Sequence, residues 1–90
     1  MTRRYVVMTS AGHSIEGYGY AGRYRNVAVC LVDADNPPKM ISPRARGMIR
    51  IAQQWRGCYV GATERSAYAR ACQEAEILAA RLNAELDAES

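Results

Sequence analysis

The six residues Val27–Val32, VAVCLV, constrain the fold more than any other stretch of the sequence. Successive side chains of a β-strand point to opposite faces of its sheet, and here both sets are apolar. A strand of this kind needs cover on both faces and a central place in the sheet. The chain has 90 residues, a size that suits one domain with one core. We therefore predict a single domain, residues 1–90, with a strand at about residues 24–32.

A partner strand is predicted at about residues 4–9, where RYVVMT is rich in β-branched and aromatic residues. The stretch Ser10–Gly17 follows it and is rich in turn formers. The two strands are therefore expected to pair as an antiparallel hairpin. Pro37 and Pro38 then mark a turn after the second strand, because proline cannot donate a ladder hydrogen bond.

A middle helix is predicted at about residues 43–56. Ser42 offers a capping hydroxyl, and Pro43 suits the first helical position. Apolar residues then recur at three- and four-residue intervals, which is the spacing of a helical stripe. A strand at Met48–Ala52 is the alternative. The stripe consists of Ala45, Met48, Ile49, Ala52 and Trp55.

A long C-terminal helix is predicted at about residues 64–86, after a possible short strand at Cys58–Val60. Its length of about 35 Å exceeds what a small sheet can cover, so we expect part of it to meet a second chain in a homodimer. The predicted fold is α+β, a small antiparallel hairpin packed by the middle helix and the long C-terminal helix. The apolar stripe is Tyr68, Ala71, Cys72, Ala75, Leu78, Ala79, Leu82 and Leu86.

Charge is distributed unevenly along the chain. Residues 1–56 hold nine basic and three acidic side chains, a net charge of +6. Residues 57–90 hold three basic and six acidic side chains, a net charge of −3. A split of this kind is typical of a protein with a surface for an anionic partner. An arginine-rich composition without a functional role is the alternative explanation.

A stretch rich in glycine, tyrosine and arginine, Glu16–Arg25, precedes the central strand. Its first eight residues, EGYGYAGR, resemble the RNP1 motif of the RNA-recognition-motif family in their Gly-Tyr-Gly-Tyr core, which implies base stacking on Tyr18 and Tyr20. In that family the motif follows a strand, a helix and another strand, and this fold is not expected here. Arg23 and Arg25 can bind phosphate or carboxylate groups. Tyrosines that cover the end of a hairpin are the preferred interpretation.

A second basic cluster follows the proline turn and is the main candidate for partner binding. On a helix, Arg46 and Arg50 would point together, away from the apolar stripe. Arginine's planar guanidinium suits phosphate groups and acidic protein surfaces. A solvated helix face is the alternative interpretation. The cluster consists of Arg44, Arg46, Arg50 and Arg56.

Several function classes are not expected from this sequence. The only histidine, His13, has no partners at the spacing of a catalytic or zinc site. Cys30, Cys58 and Cys72 are too widely spaced for a disulfide framework, so we expect reduced thiols, no metal and no cofactor. No apolar run reaches the roughly 18 residues of a membrane span, so a cytoplasmic protein without membrane contact is expected.

The sequence therefore predicts a non-enzymatic protein that binds a macromolecule. The expected partner is a protein with an acidic or nucleic-acid-binding surface. In size and style the chain resembles phage and mobile-element accessory proteins, including anti-CRISPR inhibitors of host nucleic-acid machinery. The alternative is a small basic protein that binds single-stranded nucleic acid through the Tyr/Arg-rich hairpin.

Overall fold

A computed structural model describes residues 2–10, 23–45 and 47–89 of the chain. Its strands form one antiparallel sheet with the order β1-β2-β3, so that β2 is the central strand. The antiparallel sheet and the C-terminal helix agree with the α+β prediction. The elements are β1 (Arg3–Thr9), β2 (Tyr24–Asp33), a 3-10 turn (Pro43–Ala45), β3 (Ile49–Tyr59) and α1 (Ala67–Ala88).

Strand β2 is buried on both of its faces, as its sequence predicts. Val27 and Val29 belong to the core on the side of α1. Ala28, Cys30 and Val32 belong to a second core on the opposite face. All five side chains are at most 2% exposed. Strand β2 pairs with β1 on one side and with β3 on the other. Two separate parts of the chain cover its two faces.

The first covering is helix α1, which packs small side chains against the sheet. The hydroxyl of Ser66 caps the helix by accepting a hydrogen bond from the backbone N–H of Ala69 at 3.2 Å. The helix therefore begins at Ala67, three residues later than the sequence suggested. Alanines spaced four residues apart let the helix backbone approach the valines of β2 closely. The buried alanines are Ala71, Ala75 and Ala79.

The second covering is the connection between β2 and β3. Ile41 lies beside the end of β1, where its N–H donates to the carbonyl of Thr9 at 3.0 Å. Ile41 and Ile49 pack against the second core, and Ala45 is 3% exposed. The chain leaves β2 near the start of β1, reaches the end of β1 at Ile41, and returns to pair Ile49 with Val32. This path places the connection over the face that α1 leaves open.

The prediction of a middle helix at residues 43–56 is wrong. Ser42 and Pro43 begin only a single 3-10 turn, and residues 49–59 form strand β3. Two bulges in β3 explain the misleading periodicity, because each inserts one residue opposite β2. Ala52 is the extra residue at one bulge, and the other lies at Arg56 and Gly57. Apolar residues on one face of a strand recur at every second position. An inserted residue lengthens one of these intervals to three, so the pattern resembles the three- and four-residue spacing of a helix.

Asn83 closes part of the outer edge of the sheet. Its side-chain Oδ1 accepts from the N–H of Tyr5 at 2.7 Å, and its Nδ2 donates to the carbonyl of Tyr5 at 2.9 Å. The carboxamide thus pairs with β1 as the backbone of a neighbouring strand would. Exposed sheet edges invite pairing with other chains, and a covered edge does not.

The length argument for a homodimer loses its premise in the structure. Helix α1 has 22 residues, or about 33 Å, whereas β3 has 11 residues, or about 36 Å. The helix is therefore no longer than the longest strand. A homodimer stays a prediction, and the most exposed large apolar side chain of α1 is Ile77, at 72%.

We expect the substitution Asn83→Ala to lower the free energy of unfolding by about 1–3 kcal/mol, because both backbone groups of Tyr5 lose their partner. Alanine favours helix more than asparagine does, so the measured loss understates the value of the contact. Chemical denaturation monitored by circular dichroism provides the measurement. Glu85→Ala, an exposed change on the same helix, serves as the control and should stay within about 0.5 kcal/mol. A neutral Asn83→Ala would contradict the edge-capping role.

Candidate functional site

A cleft of about 600 Å³ lies on the face of the sheet opposite α1, between the β2–β3 connection and strand β3. Isoleucine side chains form its apolar part, and hydroxyl, amide and guanidinium groups form the rest. We call it the basic cleft. It is lined by Ser10, Asn26, Ile41, Ser42, Ile49, Arg50, Ile51, Gln54 and Arg56.

The register of β3 explains how this cleft acquires its lining. Ile51 pairs with Cys30 and Gln54 pairs with Ala28. Both of these β2 residues face away from α1, and paired residues of an antiparallel sheet share a face. The bulge at Ala52 allows Ile51 and Gln54, three residues apart, to lie on the same side. Without this bulge, one of the two would point toward the helix.

Two arginines that border the cleft carry positive charge that no described neighbour neutralises. Arg50 and Arg56 are both exposed. Neither has a hydrogen-bond or ion-pair partner among the described residues. A guanidinium group presents five N–H donors in a planar fork, which suits carboxylate and phosphate oxygens. These two side chains are therefore available to an anionic ligand.

One end of the cleft is formed around Asn26, which makes hydrogen bonds to Ser10 and to Gly57. The backbone N–H of Asn26 donates to the hydroxyl of Ser10 at 2.9 Å, and its own Oδ1 accepts from the N–H of Gly57 at 2.8 Å. Gly57 has a φ of 62°, a left-handed conformation that favours glycine. No local pattern in the sequence points to the roles of Ser10 and Asn26. These contacts fix the bulge that precedes Tyr59.

The structure separates the arginines that the sequence proposed for binding. Arg50 and Arg56 share the basic cleft, on a strand instead of the predicted helix. Arg44 lies exposed in the 3-10 turn. Arg46 lies outside the described residues, as do Tyr18 and Tyr20.

Arg23 and Arg25 lie at the other end of the sheet, among tyrosines. The Nη1 of Arg23 donates to the hydroxyl of Tyr59 at 3.1 Å, and the rings of Tyr24 and Tyr59 meet edge to face at 5.6 Å. The guanidinium of Arg25 lies 5.9 Å from the ring centre of Tyr68 on helix α1. Arg25 is half-buried, so its contact with Tyr68 is part of the packing between sheet and helix.

Charge differs between helix α1 and the basic cleft. Helix α1 carries four acidic and two basic side chains, a net charge of −2, on one face of the sheet. One of these acids, Glu74, accepts a hydrogen bond from the indole Nε1 of Trp55 at 3.1 Å. Arg56 lies at the cleft on the opposite face, and Arg50 borders the cleft from the edge strand β3, although its pairing with Leu31 directs its side chain toward the helix side. An anionic partner is therefore attracted to strand β3 and repelled by the helix.

Three further observations complete the description of the site. The described residues include no group of three His, Cys, Asp or Glu side chains that could hold a metal ion. Within the same ranges of the chain, no helix has both the length and the apolar character needed to cross a membrane. Comparisons with protein-family models, curated proteins and solved structures found no match.

Burial controls the chemistry of two of the three thiols. Cys30 is fully buried, and desolvation raises its pKa above the ordinary value of 9.0. Desolvation also raises the pKa of Cys58, with a smaller contribution from the nearby Cys72. Burial penalises the thiolate, so both groups stay protonated in the folded chain where they would ionise in the unfolded one. All three cysteines are free thiols.

We expect Cys30 to make folding less favourable at alkaline pH. Its pKa is higher in the folded state, so its contribution to stability is complete below the unfolded thiol pKa and is lost as pH rises through the folded value. Denaturation at pH 7 and pH 10 should therefore show a smaller loss of stability in Cys30→Ala than in the unaltered chain. Because the two proteins differ at one position, the comparison isolates the contribution of Cys30. An equal loss in both proteins would contradict this role.

Proposed function

We propose that this chain is a non-enzymatic binding protein whose basic cleft holds an acidic segment of a protein partner. The observation that carries the proposal is the pair Arg50 and Arg56, exposed and without partners among the described residues. Desolvated at an interface, such arginines bind carboxylates by charge-assisted hydrogen bonds. The acidic helix lies on the other face, so the partner's orientation is favoured by charge.

The composition of the cleft favours a protein over a nucleic acid as its occupant. Ile41, Ile49 and Ile51 supply apolar surface beside the arginines. Protein interfaces combine an apolar centre with a polar rim, whereas nucleic-acid binding relies on phosphate contacts and on base stacking against aromatic rings. No aromatic side chain is among the described residues that line the cleft.

A narrower form of the proposal is an inhibitor from a phage or mobile element that occupies a surface of host nucleic-acid machinery. Its support is the chain's small size and its composition without cofactor motifs. In this form, the acidic segment belongs to the host protein that is inhibited.

A second candidate function is the binding of single-stranded nucleic acid at the end of the sheet. The observation that favours it is the exposure of Tyr59, which is 40%. Arg23 holds the hydroxyl of Tyr59, and Tyr24 supports its ring. A base stacked on an exposed aromatic ring contributes about 1–3 kcal/mol. Tyr59→Ala would then weaken the binding of an oligonucleotide.

We expect the double substitution Arg50→Glu with Arg56→Glu to weaken binding of a fluorescent peptide of alternating glutamate and valine by at least about tenfold, because repulsion replaces two favourable contacts. Fluorescence anisotropy at low salt measures the affinity. Arg65→Glu with Arg70→Glu is the matched control, since it also changes the net charge from +3 to −1. The control should change the affinity by less than about twofold.

Two results would contradict the proposal. Equal weakening by both double variants would show attraction to the net charge alone. Stronger binding of a single-stranded oligonucleotide than of the peptide, lost in Tyr59→Ala, would support the second candidate instead. Circular dichroism melting establishes that each variant is folded.

A further inference from the structure

The two edges of the sheet differ in how their backbone is used. At the β1 edge, the carboxamide of Asn83 occupies both backbone groups of Tyr5. At the β3 edge, no side chain among the described residues bonds to the backbone of Ile51 or Gln54. Strand β3 is also the longest strand, with 11 residues. Among the described residues, the β1 edge is therefore closed at Tyr5, whereas the β3 edge is open at Ile51 and Gln54.

Hydrogen-bonded and non-hydrogen-bonded residue pairs alternate along an antiparallel sheet. This alternation shows which backbone N–H and carbonyl groups of β3 point away from β2. Ser10 donates its N–H to the carbonyl of Asn26 at 3.0 Å, so Asn26 directs its backbone toward β1. Alternate residues of a strand do the same, so Ala28 also faces β1. Gln54 is the partner of Ala28 in β3. This is a non-hydrogen-bonded pair, and the N–H and carbonyl of Gln54 point away from β2.

The same reasoning applies to Ile51, whose partner Cys30 follows Ala28 by two residues. The side chains of Ile51 and Gln54 both line the basic cleft. Outward backbone donors and acceptors therefore stand directly beside Arg50 and Arg56. A segment that pairs with this edge would also bring its side chains to the two arginines.

We propose that the partner segment binds as a fourth, extended strand on the free edge of β3, with its acidic side chains near Arg50 and Arg56. This inference rests on the function proposed above and specifies its binding mode. Strand addition takes its affinity from backbone hydrogen bonds and its specificity from side chains. The segment would be extended, acidic and partly apolar, to match the guanidinium groups and isoleucines of the cleft.

Charge argues against a second copy of this chain on the same edge. Strand β3 carries Arg50 and Arg56 and no acidic side chain, so two β3 edges brought together would place like charges near each other. Like charges across neighbouring strands destabilise a sheet. Acidic side chains on an added strand replace this repulsion with attraction. The arginines thus disfavour self-pairing and favour an acidic partner.

The test separates the contribution of backbone hydrogen bonds to peptide affinity from the contribution of charge. The glutamate-valine peptide is the probe. Its matched control is the same peptide N-methylated at alternate residues, which retains the charges but cannot donate N–H groups to the edge of β3. We expect the control to bind at least about tenfold more weakly. Amide hydrogen exchange at Gln54, measured by NMR, should slow when the unmodified peptide binds.

Two variants of the protein test the same backbone contact by changes in strand β3. Gln54→Pro removes an outward N–H that the sheet itself does not use, and edge strands tolerate proline. It should weaken peptide binding at least about tenfold more than Gln54→Ala does, because Gln54→Ala removes the same side chain and retains the N–H. If Gln54→Pro fails to fold, the N-methylated peptide and the exchange measurement still decide the question.

The outcomes separate the binding mode from the proposed function. Equal affinity of the two peptides, with binding still lost in the Arg50/Arg56 double variant, would overturn strand addition and leave the acidic-partner function standing. Binding unaffected by that double variant would overturn both. A dimer of the free protein that Gln54→Pro dissociates, detected by light scattering, would place a second copy on the edge and also overturn the inference.

Discussion

Burial of β2 on both faces is the constraint on which the rest of the structure depends. An apolar strand in the middle of a three-stranded sheet needs two coverings, and the described part of the chain provides one long helix, α1. The helix covers one face through Ala71, Ala75 and Ala79. The other face is covered by a connection without regular structure beyond one turn. This asymmetry leaves a cleft on the side of the connection.

The sequence predicted those parts of the fold that local patterns determine. VAVCLV indicated a central strand, and the alanine-rich stripe indicated a helix that packs closely against it. The bulges in β3 could not be predicted, because each depends on how residues of β3 pair with β2. Ala52 and Gly57 shift the alternation of apolar residues, and the shifted pattern is typical of a helix. Contacts such as that of Asn83 with Tyr5, 78 residues apart, leave no local signal.

The sequence predicted some residues of the candidate site but not their arrangement. Arg50 and Arg56 were proposed from the basic cluster, and a strand now brings them to one cleft. Arg25 was proposed with them but packs over Tyr68 between sheet and helix. Its role could not be predicted, because the facing ring comes from a helix that lies 43 positions away. The polar lining from Ser10, Ser42 and Gln54 was missed, since such residues are common on any surface.

The bulges that give β3 its helix-like spacing of apolar residues also shape the open edge. Bulges and charged side chains on an edge strand are the usual means by which proteins prevent unwanted pairing. In the proposed binding mode, Arg50 and Arg56 disfavour pairing between two β3 strands, and the same charges attract a strand of opposite sign. Outward backbone groups at Gln54 stay unused by the sheet, so the edge retains the capacity to pair. In that mode one pair of arginines would both disfavour pairing of identical edges and favour an acidic segment.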